Sequence, residues 1–126
     1  MKNKTLYTDP KTIAKLRSIA LQAALPIPSQ GRVTMAAGVV ENTDDIRQVA
    51  VSTSEPRGYL RPGVKAVLQP HDIVVSGLGH AEKKIVEWAV ANQHKVIAVA
   101  AGRSICQKCV RIIENSGGIV ASAKKK

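Results

Sequence analysis

Four side chains in this sequence have the types and spacing of a metal-assisted hydrolytic centre. They are His80 and Glu82 in His80-Ala81-Glu82, and the pair in Cys106-Gln107-Lys108-Cys109. A catalytic zinc ion takes three protein ligands from histidine, cysteine and carboxylate groups and leaves its fourth position for water. His80, Cys106 and Cys109 make such a set, and one zinc ion per chain is the expectation. Cysteines three apart share one helix face, and a helix N-terminus favours the thiolate that a metal needs. Two thiolates also neutralise the ion's double charge. Glu82, two residues beyond His80, is close enough to exchange a proton with water at the open position without having to ligate.

The same residues admit blander readings. A C-x-x-C at a helix start after an apolar strand is also the pattern of a thiol oxidoreductase using Cys106 and Cys109. A structural zinc site could take His71 or His94 as a fourth ligand and stabilise a nucleic-acid-binding module, but Glu82 would then be idle. His80 and Glu82 could also be plain surface residues. The two cysteines, so close together, are not a secreted disulfide framework.

These groups need a scaffold, and the residue pattern sketches one. Asp9-Pro10 reads as an N-cap followed by proline at the first helical position. Ile13, Leu16, Ala20 and then Ala23 or Ala24 recur at helical spacing, so a helix is expected over residues 10–24, ended by Pro26 and Pro28. Residues 31–40 and 46–53 are rich in valine and short side chains, and Asn42-Thr43-Asp44-Asp45 between them completes a β-hairpin. Residues 54–79 hold the turn sequences Glu55-Pro56-Arg57-Gly58 and Arg61-Pro62-Gly63, a helix or strand over 64–68, and a short apolar segment over 71–76. An insert of this length reads as functional.

A helix over residues 80–92 sets Ala81, Ile85, Trp88 and Ala89 on its apolar face and Lys83, Lys84 and Glu87 off it. Residues 95–101 form a buried strand suited to a parallel sheet. A helix over 105–115 follows, broken by Gly117-Gly118, and then a last strand over 119–123. The order α-β-β-α-β-α-β makes a single α/β domain over residues 1–126.

His80-Ala81-Glu82, followed after one helix and one strand by Cys106-x-x-Cys109, resembles the cytidine deaminase-like superfamily, whose sites read H-x-E…P-C-x-x-C with a glutamate that is not a ligand. The resemblance covers roughly residues 10–123. Leu78-Gly79-His80-Ala81-Glu82-Lys83-Lys84-Ile85 and Gly102-Arg103-Ser104-Ile105-Cys106 look most like the deaminase domains at the C-termini of bacterial polymorphic toxins. The resemblance implies a three-layer α/β/α domain with a mixed sheet of about four to five strands. It implies zinc on His80, Cys106 and Cys109, Glu82 as general acid and base, and the Ala81 main-chain N–H meeting the base carbonyl. It further implies the C-terminal domain of a longer protein, delivered into the cytoplasm of a target cell and neutralised by a cognate immunity protein. Two departures stand out. Ile105 occupies the position of the usual proline, and the chain ends after its fourth expected strand, where many members add a fifth.

Charge bears on the substrate. Nineteen Lys and Arg against nine Asp and Glu give +10, which favours phosphate-rich partners. Lys2, Lys4, Lys11, Lys15 and Arg17 crowd one end; Arg103, Lys108, Arg111 and Lys124 to Lys126 crowd the other, the last three reading as a solvated tail. A free nucleoside needs no such charge, so the expected substrate is nucleic acid, with its base single-stranded or flipped out. The expected reaction is hydrolytic deamination of cytosine to uracil, in DNA before RNA, with adenine as the alternative base. Candidate substrate contacts are Asn42 in the hairpin turn, Arg57, Tyr59 and Arg61 in the insert, and Arg103 and Lys108 beside the cysteines. Trp88 reads as core. No apolar run approaches the ~18 residues of a membrane span, and the N-terminus lacks the apolar stretch of a signal peptide. The expected form is a monomer with no membrane partner.

Overall fold

The valine- and alanine-rich segments pair into one sheet because their small side chains let helices close on both faces. The structure is a computed structural model that describes residues 4–77 and 79–125; Lys2, Leu78 and Lys126 lie outside the described residues. Strands β1 (Met35–Glu41) and β2 (Arg47–Thr53) form an antiparallel hairpin with Met35 opposite Thr53 and Glu41 opposite Arg47. Strand β3 (Ile73–Val74) adds in parallel to β2, β4 (Lys95–Ala101) runs antiparallel to β1, and β5 (Ile119–Val120) runs parallel to β4. The sheet is mixed and open, in the order β3-β2-β1-β4-β5. Val39 faces Ala98 while Val40 faces Val96, so Ile97 is the extra residue of a bulge.

Alternate side chains of each strand feed two separate cores. Ala36, Val40, Val99 and Ala101 pack against Ile85 and Ala89 of α4 (Ala81–Ala91) and Cys109 and Ile113 of α5 (Gln107–Asn115). On the other face Met35, Ala37, Val39, Ala98 and Ala100 pack against Leu6 of α1 (Lys4–Thr8), Ala14 and Leu21 of α2 (Pro10–Ala23) and Val64 of α3 (Pro62–Ala66). The result is an α/β/α arrangement around five strands. No helix among the described residues is long and apolar enough to cross a membrane.

Four expectations change. Helix α2 starts where Asp9-Pro10 places it, with the Asp9 carboxylate accepting from Thr12 N, but it turns a different face inward. Ala14, Ser18, Leu21 and Gln22 are buried, while Leu16 is 56% exposed, because the close approach to the sheet admits only small side chains along most of that stripe. Lys84 faces inward rather than out and is 3% exposed. The insert contributes the edge strand β3 and the core residues Leu60 and Val64, so much of its length is structural. Lys124 and Lys125 are not a free tail: Lys125 N donates to Ile105 O at 2.7 Å, Gln107 Nε2 donates to Lys125 O at 2.7 Å, and Lys124 pairs with Glu114.

Gln22 ties the turn before β1 to the end of β4. Its Nε2 donates to Gln30 O at 2.9 Å and Val33 O at 2.6 Å, and its Oε1 accepts from Met35 N at 2.8 Å. It also lies so close to Gly102 that a Cβ there would overlap it. Gln22→Leu leaves the buried Met35 N and the part-buried carbonyls of Gln30 and Val33 without this partner and is expected to cost at least about 2 kcal/mol in urea denaturation. A loss below about 0.5 kcal/mol, the range of an ordinary surface change, would contradict this role.

Candidate metal centre and its cavity

Strand β1 runs opposite to β2 and β4, so Thr34, Ser54 and residues 102–106 meet at one end of the strands. Open α/β sheets take their ligands at the carboxyl ends of strands, and here both α4 and α5 begin at that end. His80 is the N-cap of α4 and Cys106 the N-cap of α5, both with extended backbone, and neither side chain caps its own helix. Both therefore remain available to face each other. Cys109, one turn into α5, completes the group.

His80 Nδ1 lies 3.5 Å from Cys106 Sγ and 3.3 Å from Cys109 Sγ. The three ligand atoms all fall within 4.8 Å of one another. Zn–N of 2.0–2.1 Å and Zn–S of 2.3 Å at a tetrahedral angle give an N···S edge of about 3.6 Å. The two observed N···S separations come close to that edge, and the donor set of one imidazole and two sulfurs suits zinc. The group can hold a metal ion. Ligation through Nδ1 would leave the proton of the neutral ring on Nε2.

Glu82 is 4% exposed and lines the same cavity. Burial pushes its carboxyl above the usual range, opposed by its own backbone amide and by the charge of His80. The Cys109 thiol is pushed up to about 12, first by burial, then by the hydrogen bond with Cys106 and the charge of Glu82. Burial thus shifts both groups toward their neutral forms. A coordinating cation reverses that preference for a thiol, which it deprotonates outright.

Two side chains fix the first turn of α4 on the end of β2 through three hydrogen bonds. Ser52 Oγ donates to Ala81 O at 2.5 Å, and Lys84 Nζ donates to Thr53 O at 2.6 Å and Glu55 O at 3.3 Å. Burial holds the Lys84 ammonium below its ordinary pKa. Sequence reasoning missed both residues. For Lys84 a signal existed, since it lies three residues beyond Ala81 and four before Trp88, on the stripe already read as apolar. For Ser52, one small residue in a buried strand, none did.

The cavity has a volume of about 610 Å³ and is lined by His80, Ala81, Glu82 and Cys106 together with Arg32, Thr34, Ser54, Gly79, Arg103, Ser104 and Lys125. Of the expected substrate contacts, Ala81 and Arg103 are there. Asn42 lies at the opposite end of β1, where its Oδ1 accepts from Asp44 N and Ile46 N and closes the turn. Arg57, Tyr59, Arg61 and Lys108 are absent from the lining. Arg61 pairs with Glu55, and its guanidinium stands 5.8 Å from the Tyr59 ring centroid. His71 lines a different cavity, and His94 packs on half-buried Trp88 with ring centroids 4.6 Å apart, so neither joins the cysteines. Arg32 and Lys125 carried no signal in local sequence; only the fold brings them to the cavity.

Comparison with known protein families, curated proteins and solved structures finds no match for this chain.

The metal centre has a direct test. The chain incubated with zinc and desalted is expected to retain one zinc ion per molecule, and Cys106→Ala or Cys109→Ala to lose it. Zinc at about 100 times its dissociation constant should add about 2.7 kcal/mol to stability. A dithiol chain that stays metal-free would remove the site.

Proposed function

We propose that this chain is a zinc-dependent hydrolase that deaminates cytosine to uracil in nucleic acid, DNA before RNA. The observation that carries the reading is the buried carboxylate of Glu82 in one cavity with His80 and Cys106, where Cys109 completes a three-ligand set. His80, Cys106 and Cys109 would hold the ion, which when bound supplies the Lewis acidity that makes water nucleophilic near neutral pH.

The remaining work falls to the chain. Glu82 takes a proton from water as its oxygen adds to C4 of the base, passes it to ring N3, and carries a proton to the amine as ammonia leaves. Cytosine and water become uracil and ammonia. Burial raises the Glu82 pKa, which strengthens the carboxylate as a base toward water. The Ala81 N–H has no partner within its own helix, and Ala81 lines the cavity, which supports it as the donor to the base carbonyl. Enclosed reacting groups favour a base that is single-stranded or flipped out, and the +10 charge favours a polyanion. The sequence resemblance to polymorphic-toxin deaminase domains extends the proposal to a delivered toxin restrained by an immunity protein.

Single-stranded DNA incubated with the zinc-loaded chain and analysed by mass spectrometry is expected to gain uracil, with hypoxanthine scored in the same assay. Glu82→Gln, nearly isosteric, should lower product formation by about 10²- to 10⁴-fold while zinc content and fold persist. Unchanged turnover in that variant would rule out the proton-carrying role.

A further inference from the structure

Five of the acidic side chains are paired with cations: Asp72 with Arg17, Glu41 with Arg47 and Lys95, Glu55 with Arg61, Glu87 with Lys83, and Glu114 with Lys124. Arg32, Arg103 and Lys125 are different. Among the described residues no carboxylate pairs with any of them, and all three line the cavity that contains Glu82. They come from three distant places: the turn before β1, the loop after β4, and the C-terminal segment.

Each is held by its surroundings. Arg32 Nε donates to Pro28 O at 3.4 Å, and Arg103 donates through one terminal nitrogen to Arg32 O at 3.3 Å. A guanidinium has five N–H donors, so each arginine keeps most of its own for a ligand. Buried Gln22 grips the turn on both sides of Arg32 through Gln30 O, Val33 O and Met35 N, and packs on Gly102 beside Arg103. The backbone of Lys125 is tied to Ile105 and Gln107 on the other flank. Three uncompensated cations around one opening repel one another, and a planar guanidinium matches the oxygens of a phosphate with paired donors.

We infer that Arg32, Arg103 and Lys125 form a phosphate seat at this cavity, holding the phosphodiester beside the nucleotide whose base enters it. The inference rests on the reading of the cavity as a base-deaminating site. It assigns strand recognition to the turn before β1 and the C-terminal segment, not to the insert, where Arg61 is already occupied by Glu55.

Binding of a labelled single-stranded oligo-deoxycytidine, followed by fluorescence anisotropy on the zinc-loaded chain carrying Glu82→Gln, tests the seat without turnover. Arg32→Ala, Arg103→Ala and Lys125→Ala are each expected to weaken binding at least about fivefold. Each should also reduce the slope of log K against log salt by about one. Lys11→Ala removes an exposed cation at the far end of α2 and should stay within about twofold. Competition identifies the source of the phosphate. Deoxycytidine monophosphate outcompeting deoxycytidine by about tenfold supports a seat that accepts a single phosphate, while competition by the oligonucleotide alone supports one that reads a strand. Equal affinity in all three variants, or an equal loss for Lys11→Ala, would overturn the seat in favour of diffuse charge. The arms separate the two ideas. An inactive chain that still loses affinity on Arg103→Ala refutes the deaminase reading alone, and an active chain indifferent to all three changes refutes the seat alone.

Discussion

Two helices begin at the same end of the sheet's strands, and each brings there the amides without intrahelical partners and the positive dipole end of its first turn. The antiparallel pairing of β1 with β2 and β4 makes this convergence unavoidable, since it gathers the carboxyl ends of β2 and β4 at one place. His80 and Cys106 occupy equivalent positions before those helices, with backbone extended and side chains uncommitted to capping. The imidazole and the two sulfurs approach one another because the helix starts do. Ser52 and Lys84 then lock α4 to the end of β2, so that its first turn has little freedom to drift.

Burial and charge act on this site in opposite directions. Glu82 and Cys109 are shielded from water, and shielding favours their protonated forms. A divalent cation among the three ligands favours thiolates instead, which is the electrostatic sense in which the donor set suits zinc. Glu82 stays outside that set while sharing the cavity, and its proton affinity responds both to burial and to the charge of His80. Around the opening the balance is reversed, with cations that have no carboxylate of their own. The protein therefore combines an acid-bearing interior with a basic entrance, an arrangement suited to a neutral base attached to an anionic backbone.

The parts legible in sequence were those governed by local chemistry. Asp9-Pro10 marks the start of α2, the valine-rich hairpin and the β4 segment emerge where expected, and the His-x-Glu and Cys-x-x-Cys groups meet. What was not legible depends on partners far along the chain. Leu16 lies on a regular apolar stripe yet is exposed, because the sheet accepts the thinner face of Ala14 and Ser18. Lys84 looks like a surface lysine until Thr53 and Glu55 offer their carbonyls. The C-terminal lysines have the composition of a tail, but the backbone of Lys124 and Lys125 pairs with Ile105. Tyr59 between two arginines read as a candidate substrate contact, whereas the fold sets the insert mainly to work on the α2 face of the core.

The claim on which the account turns is that His80, Cys106 and Cys109 hold zinc and leave a position open beside Glu82. X-ray absorption spectroscopy of the zinc-loaded chain measures this directly. The account expects two sulfur neighbours at about 2.3 Å and two lighter neighbours at about 2.0–2.1 Å, only one of them fitting as imidazole. A shell closed by four protein ligands, or one lacking the two sulfurs, would contradict it.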